Sequence, residues 1–445
     1  MSGDWYLSVD FGTTNTVACV SSPGSEPRLL KLGNDWRLPS AVFWDKTGPV
    51  VGVNAIHSQR TDPTRFCRCP KREMGYDAVL LGGQRVPITD VVASVLAAVV
   101  AESAGQEGEA PRGAVVTYPV QWGTARRNVV KAAARTAGLT GAKLLQEPVA
   151  AAVRIGTLAK VPDGKPFAIL DFGGGTTDVA VLERSDSSFK VLASHGEDPL
   201  GGEDLDDLLF GYVIEELKDR DVADLLANPP DDAWRGRQAD VRDNCRMAKE
   251  RLSEMGEAGV WVSQIGADVA VPRAVFESLA SDILDRAVGS ISHAVEQSDV
   301  EPRGLNLFFV GGSSRIPKLR SLVQERLGCR VTLRGDPQFV VTEGAALWIA
   351  EPSRHRRVPT IGATPRNGAP ANAPKRTPKP PVPKKTPTPP VFKKTPTLPT
   401  AKKTTTPPVR IETTTPPLSP DGVGSGWVRY LIVIALVFIL LFVFF

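Results

Sequence analysis

The sequence predicts a layered α/β domain of two lobes over residues 1–352, then a disordered linker over 353–426 and one transmembrane helix over 427–445. Three observations predict it. Apolar strands such as Phe167-Ala-Ile-Leu-Asp171 and Leu305-Asn-Leu-Phe-Phe-Val310 alternate with helical stretches, the pattern of layered α/β folds. A strand ending in a carboxylate and turning through Gly and Thr occurs twice. Beyond Pro352 the apolar periodicity gives way to Pro, Thr and Lys, and then to an uncharged apolar run.

A chain of 445 residues with 42% hydrophobic side chains can bury a sizeable core. The net charge of +4 is small, and the basic residues between Arg354 and Arg410 meet almost no acids, so the domain before them is close to neutral or acidic. That basic stretch lacks the interleaved aromatics of a nucleic-acid binder, so no nucleic-acid partner is expected. The five cysteines, Cys19, Cys67, Cys69, Cys245 and Cys329, are odd in number and scattered, which argues for free thiols in a reducing compartment. Cys67 and Cys69 are the only close pair and have neither a second pair nor a nearby His to complete a metal site. His57, His195, His293 and His355 fall in no metal or triad spacing and are expected to be structural or solvated.

Within the domain, Thr89-Asp90 is expected to cap a helix over Val91 to Ser103. An Ala-rich helix from Thr124 to Ala137 should stop at Gly138, and another should run from about Pro272 to His293. The N-terminus enters a strand pattern almost at once, so no secretory signal is expected. Four units starting at Lys375, Lys384, Lys393 and Lys402 repeat with a period of nine, reading KRTPKPPVP, KKTPTPPVF, KKTPTLPTA and KKTTTPPVR. Such a segment favours extended, solvated conformers and is expected to act as a semi-stiff basic tether. A helix over Tyr430 to Phe445 would be about 24 Å long against a hydrocarbon core of about 30 Å. Trp427, Arg429 and Tyr430 can cover the difference at the interface, and the lysines before them suit a cytoplasmic face. The expectation is a single-pass, tail-anchored protein in contact with membrane lipid, with its folded domain in the cytoplasm.

The most informative feature is the internal echo of Val9-Asp-Phe-Gly-Thr-Thr-Asn-Thr16 in Leu170-Asp-Phe-Gly-Gly-Gly-Thr-Thr-Asp178. Glycine lets backbone N–H groups approach phosphate oxygens, Thr hydroxyls add donors, and an Asp can hold water on a Mg²⁺ ion. Two such turns, made of Gly12, Thr13, Thr14 and Asn15 in one lobe and Gly173, Gly174, Gly175 and Thr176 in the other, would grip a triphosphate from opposite sides. Either alone is commonly a hairpin turn. Both together, with Gly311-Gly-Ser-Ser-Arg315 after a third apolar strand, point to a two-lobed phosphate binder. No Walker-type loop is present, and neither Asp-Phe-Gly triplet is followed by the His-Arg-Asp or Ala-Pro-Glu of a protein kinase.

At these residues the chain resembles the nucleotide-binding domain of the heat shock protein 70 chaperones, the DnaK-like family, from about Trp5 to Ala350. The matching segments are VDFGTTNT, PKREMG (Pro70 to Gly75), EPVAAAV (Glu147 to Val153), LDFGGGTTDVAVL, LGGEDLD (Leu200 to Asp206), AKERLS (Ala248 to Ser253) and FVGGSSRIPKL (Phe309 to Leu319). The resemblance implies the two-lobed actin-like ATPase fold of the actin and sugar-kinase superfamily, with duplicated α/β subdomains, ATP or ADP with Mg²⁺ as ligands, and slow ATP hydrolysis. It implies water-mediated Mg²⁺ contacts from Asp10, Asp171 and Asp178, and phosphate contacts from Thr13, Thr14 and Thr176. Lys71 is similar to the lysine that contacts the γ-phosphate and the attacking water, Glu147 to the carboxylate that orients that water, and Pro148 to the proline that relays nucleotide state. Gly201, Gly202, Glu203 and Asp204 match a turn near the phosphates. Lys249 and Ser253, with Gly311, Gly312, Ser313 and Arg315, match nucleoside contacts.

The chain also departs from the family. Arg246 stands where an acid usually faces the ribose, and Gln338 stands where Asp commonly follows the proline of Asp336-Pro337. Losing a buried hydrogen-bond acceptor costs roughly one to a few kcal/mol. The family's β-rich peptide-binding domain and helical lid are expected to be absent, with the tether in their place. The resemblance therefore implies a nucleotide-dependent switch that recruits a protein partner, such as a co-chaperone or exchange factor, or a scaffold that binds ATP and hardly turns it over.

Overall fold

Both halves of the domain build the same order of five strands. In the first, Tyr6–Phe11 pairs antiparallel with Asn15–Ser21, and that strand with Arg28–Leu29. On its other side Tyr6–Phe11 runs parallel to Gly113–Tyr118, which runs parallel to Lys143–Gln146. In the second half Pro166–Phe172 takes the central place. Thr177–Ser185 and Ser188–Glu197 lie antiparallel on one side, Asn306–Val310 and Arg330–Thr332 parallel on the other. The structure, a computed structural model, describes residues 5–351 other than Lys160, Asp186 and Ser187; the expected linker and terminal helix lie outside the described residues.

The sheet centres are apolar because both faces are covered, which is why their strands read as nearly continuous hydrophobic runs. Leu7, Val9 and Phe11 pack with Val91, Val95 and Leu96 of the Ile88–Glu107 helix. Leu170, Phe172, Val179 and Val181 pack with Leu284 and Ile291 of the Ser281–Gln297 helix. Among the described residues, Ile88–Glu107 alone is long and apolar enough to cross a membrane, with a mean hydropathy of 1.6, but Val91, Val92, Val95 and Val99 are buried in this core.

A third cluster joins the lobes. Helices Glu147–Leu158 and Val340–Ala350 pack against each other and against Val115 and Leu145 of one sheet and Phe167, Ile169 and Phe308 of the other. The second helix is pinned to the first sheet by the Ser8 and Ser21 hydroxyls, which donate to the carbonyls of Thr342 and Ala346 at 2.8 Å each.

Each lobe carries an outer part. In the first it is the sheet of Val42–Asp45, Gly48–Val51 and Phe66–Cys67 with the hairpin Ala78–Leu81/Gln84–Pro87. In the second it is the helices Gly202–Glu216, Asp221–Ala227 and Asp232–Leu252 with the hairpin Glu257–Val262/Ala267–Pro272.

Two local expectations need correction. The helix at Thr89-Asp90 begins earlier, at Ile88, and no side chain caps it. Extended Pro87 delivers the chain directly into the first turn, where Asp90 instead favours the helix dipole by its charge. The single helix over 272–293 is two, Arg273–Leu279 and Ser281–Gln297, meeting at Ala280. The Ser281 hydroxyl donates to the Ser278 carbonyl at 2.9 Å, a local bond that competes with continuation of the helix. By contrast, Thr124–Thr136 ends as expected, with Gly138 at φ +90° and Leu139 N–H closing back on the Ala134 carbonyl at 2.8 Å.

The two joining helices touch where Gly344 faces Ala150. A Cβ on Gly344 would overlap the Ala150 carbonyl oxygen and lie 2.7 Å from its carbon. Gly344→Ala should therefore destabilise the domain by about 1–3 kcal/mol or more, read as a lower midpoint in urea. Gly211→Ala, in a helix with open space around it, should instead stabilise by about 0.5–1 kcal/mol. Equal midpoints for the two variants would show that the crossing is not tight.

Candidate functional site: a cleft between the lobes

The echo in the sequence is an echo in space. Asp10 and Asp171 are each the penultimate residue of a central strand, and each strand turns through glycine and threonine before its antiparallel return. The two turns face each other. A Cβ on Gly174 would collide with Thr14 Oγ1, and one on Gly175 would lie 2.5 Å from Thr13 Oγ1, so only glycine allows this approach. Thr14 Oγ1 reaches across to donate to Glu203 Oε1 at 2.7 Å.

The second turn is held from behind. The carbonyls of Gly173, Gly174 and Gly175 accept from the N–H groups of Gly202 (3.0 Å), Glu203 (2.7 Å) and Leu200 (3.1 Å). Gly173 also accepts from Ser313 Oγ at 2.8 Å, and Lys249 Nζ donates to the Gly202 carbonyl at 2.8 Å. The turn's carbonyls are thereby occupied away from the cleft, and with the Gly173 N–H closing the turn on the Thr176 carbonyl at 3.0 Å, the N–H groups of Gly174, Gly175 and Thr176 are left for an anion.

Beneath the turns lies a charged floor. Cys69-Pro70 starts the short helix Pro70–Glu73, with Pro70 at its first position, and this delivers Lys71. Glu147 and Pro148 open the helix Glu147–Leu158. Lys71 Nζ donates to Glu147 Oε1 at 2.9 Å, with both side chains only 5% exposed, and lies 5.4 Å from the centre of the Trp122 ring. Asp10 Oδ1 accepts from Thr117 Oγ1 at 2.6 Å. Asp171 sits directly across the strand pair from Asp178, whose Oδ1 accepts from the Val120 N–H at 3.0 Å.

Floor and turns line one cleft of about 660 Å³. Asp10, Gly12, Thr13, Thr14, Asn15, Lys71, Glu147, Asp171, Gly173, Gly174 and Thr176 face it at one end. Lys249, Ser253, Gly311, Gly312, Ser313 and Arg315 line it as well. Gly175, Asp178, Gly201, Gly202 and Glu203 are not on its wall; they stand behind it and hold the turns and carboxylates in place. Sequence reasoning missed Arg37, Glu250, Arg251 and Glu254, which also line the cleft. Arg37 belongs to no motif and arrives through the Arg37–Pro39 strand, where its guanidinium meets Asp35 at 3.2 Å and Gln338 Oε1 at 3.4 Å.

The sequence model of a family described as Hsp70 protein matches residues 78–355, more than half of the chain. The chain belongs to the Hsp70 family. Its mixed α/β architecture fits the actin-like ATPase fold. The matched span contains Glu147, the second turn and the nucleoside-side residues, whereas Asp10 and Lys71 precede it.

The electrostatics of this Hsp70-family cleft are unbalanced: two buried carboxylates, Glu147 and Asp178, and two half-buried ones, Asp10 and Asp171, surround the Lys71 ammonium. Burial pushes Asp10 up, against the pull of Lys71 and Thr117. Burial followed by the charges of Glu147 and Asp10 pushes Asp171 well up, and burial followed by Glu147 does the same to Asp178. Burial alone would lower Lys71, but Glu147 and Asp10 hold it above its ordinary value. Such an excess of hard oxygen donors fits a divalent cation. Among the described residues no three Asp, Glu, His or Cys side chains are arranged to hold an ion. Asp178 Oδ2 is buried, and the Thr176 hydroxyl beside Asp178 favours the ionised carboxyl.

Burial also raises Glu147 to about 7, against the pull of Lys71. Its proton is thus held more tightly in the folded protein than in the unfolded chain. Its contribution to stability is complete below the unfolded value near 4.5 and is lost as pH rises through about 7. Protein free of nucleotide and divalent ions should lose on the order of 2 kcal/mol between pH 5 and pH 8 through this group. Urea midpoints at the two pH values should differ less in Glu147→Gln than in the parent; an equal difference would contradict the assignment.

Proposed function

We propose that this chain binds ATP with Mg²⁺ in the interlobe cleft and hydrolyses it slowly. Nucleotide state would then set lobe closure, making the chain a switch read by a separate protein at a membrane. The observation that carries the reading is the buried Lys71–Glu147 pair beneath two facing glycine turns. In this reading the N–H groups of Thr13 to Asn15, Gly174 and Thr176 orient the phosphates, and the Thr13, Thr14 and Thr176 hydroxyls add donors. Bound Mg²⁺ would supply positive charge to the phosphate oxygens, held through water by Asp10, Asp171 and Asp178. Lys71 Nζ would steady the charge that develops on the transferred phosphoryl group, and Glu147, once ionised, would orient the attacking water. Because burial raises Glu147, turnover should fall at acid pH, where that carboxylate takes up its proton.

Lys71→Ala should leave ATP binding largely intact and lower single-turnover hydrolysis about tenfold or more. Equal rates in variant and parent would remove Lys71 from the reaction. A scaffold that binds nucleotide with little turnover is the second reading, and Arg246 on the cleft wall is the observation that favours it. Measured phosphate release from the parent separates the two.

The membrane part of the proposal rests on the run Leu431 to Phe445 and on the lysine-rich repeats before it. Removing residues 427–445 should release the protein to the soluble fraction. A truncated protein that still resists salt and carbonate extraction would refute a simple tail anchor.

A further inference from the structure

Arg246, Lys249 and Ser253 follow one another at spacings of three and four along the Asp232–Leu252 helix and its cap, and all three line the cleft. The turns, Lys71 and the carboxylates occupy the phosphate end. The sugar and base of a nucleotide held there must therefore lie between this helix and the wall formed by Gly312, Arg315 and Gln338. This inference rests on the nucleotide reading proposed above.

The cations of that region are not equivalent. Arg37 is held by Asp35 at 3.2 Å, Arg315 by Asp336 at 2.6 Å, and Lys249 by Asp206 at 2.8 Å, while Arg251 on the same wall is exposed. Arg246 has no such partner. Its Nε is buried and makes no hydrogen bond among the described residues. Asp206, the carboxylate whose charge it feels, is already engaged by Lys249, and Asp243, one turn earlier on the helix, is taken by Arg68 at 2.7 Å. Glu250 and Glu254 also line the cleft but are exposed, with no ion pair to Arg246. A shielded guanidinium N–H without an acceptor is costly, and a planar fork of donors matches the oxygens of a phosphate better than a neutral hydroxyl.

We propose that Arg246 makes this cleft select nucleotides that carry a second anionic group, a phosphate, on the ribose. The second phosphate accepts from the Arg246 guanidinium while the 5′ phosphates occupy the glycine turns. A charge-assisted hydrogen bond to a shielded arginine corresponds to roughly a ten- to hundredfold gain in affinity over the same nucleotide without that group.

The test is displacement of a fluorescent ADP analogue from the full-length protein by ADP, by adenosine 3′-phosphate 5′-diphosphate and by its 2′-phosphate isomer. At least one of the two ribose-phosphorylated probes should bind about tenfold or more tightly than ADP. The ratio should collapse toward one in Arg246→Ala and invert in Arg246→Glu, whatever those variants do to ADP itself. Binding of ADP with no advantage for either probe, or an advantage that survives Arg246→Ala, overturns this inference and leaves the nucleotide reading standing. Failure of ADP to bind at all overturns the nucleotide reading, and this inference with it.

Discussion

The contact between Gly344 and Ala150 is the constraint on which the architecture turns. Each helix of the crossing also packs on a sheet, so the distance between helices sets the distance between lobes. Any side chain at Gly344 would separate them. Beside the crossing Arg154 Nε meets Glu343 Oε2 at 2.8 Å, both side chains under 20% exposed, which fixes the rotation of one helix against the other. The same helix that makes the crossing begins with Glu147. Core packing and the chemistry of the cleft floor therefore share one rigid body.

At that floor two effects compete over Glu147. The N-terminus of its helix and the neighbouring Lys71 both favour the carboxylate, by a few kcal/mol together at most. Removal from water and the nearby Asp10 favour the acid, and they prevail, since the group titrates near 7. The outcome follows from number and burial, because one ammonium cannot balance four carboxylates in a shielded place. Adding positive charge to the cleft would lower all four together.

Across the outer parts of the lobes the contacts are of another kind. Arg60–Asp240, Arg68–Asp243 and Arg72–Asp204, at 2.8, 2.7 and 2.9 Å, join the first lobe to the second at partly exposed positions. Pairs of this exposure contribute roughly 0–1 kcal/mol each. The crossing is thus tightly packed while the outer parts are joined by weak, partly exposed pairs.

The two strand–turn–strand units were legible in the sequence because their information is local: alternating apolar residues, a terminal Asp, then Gly and Thr within five residues. The Gly138 helix stop was legible for the same reason. Lys71 and Glu147 were reached only through resemblance, because a lysine after a proline and a glutamate before one carry no signal of their own. Only the tertiary structure brings their side chains to 2.9 Å across 76 positions of sequence. It also decided that Gly201, Gly202 and Glu203 buttress the second turn rather than line the cleft, that Arg37 enters it, and that Arg246 is left there without an acceptor. The physical reason is range: turns and strands follow from the preferences of a few adjacent residues, whereas burial, charge balance and hydrogen-bond partners depend on which distant segments the packed helices bring together.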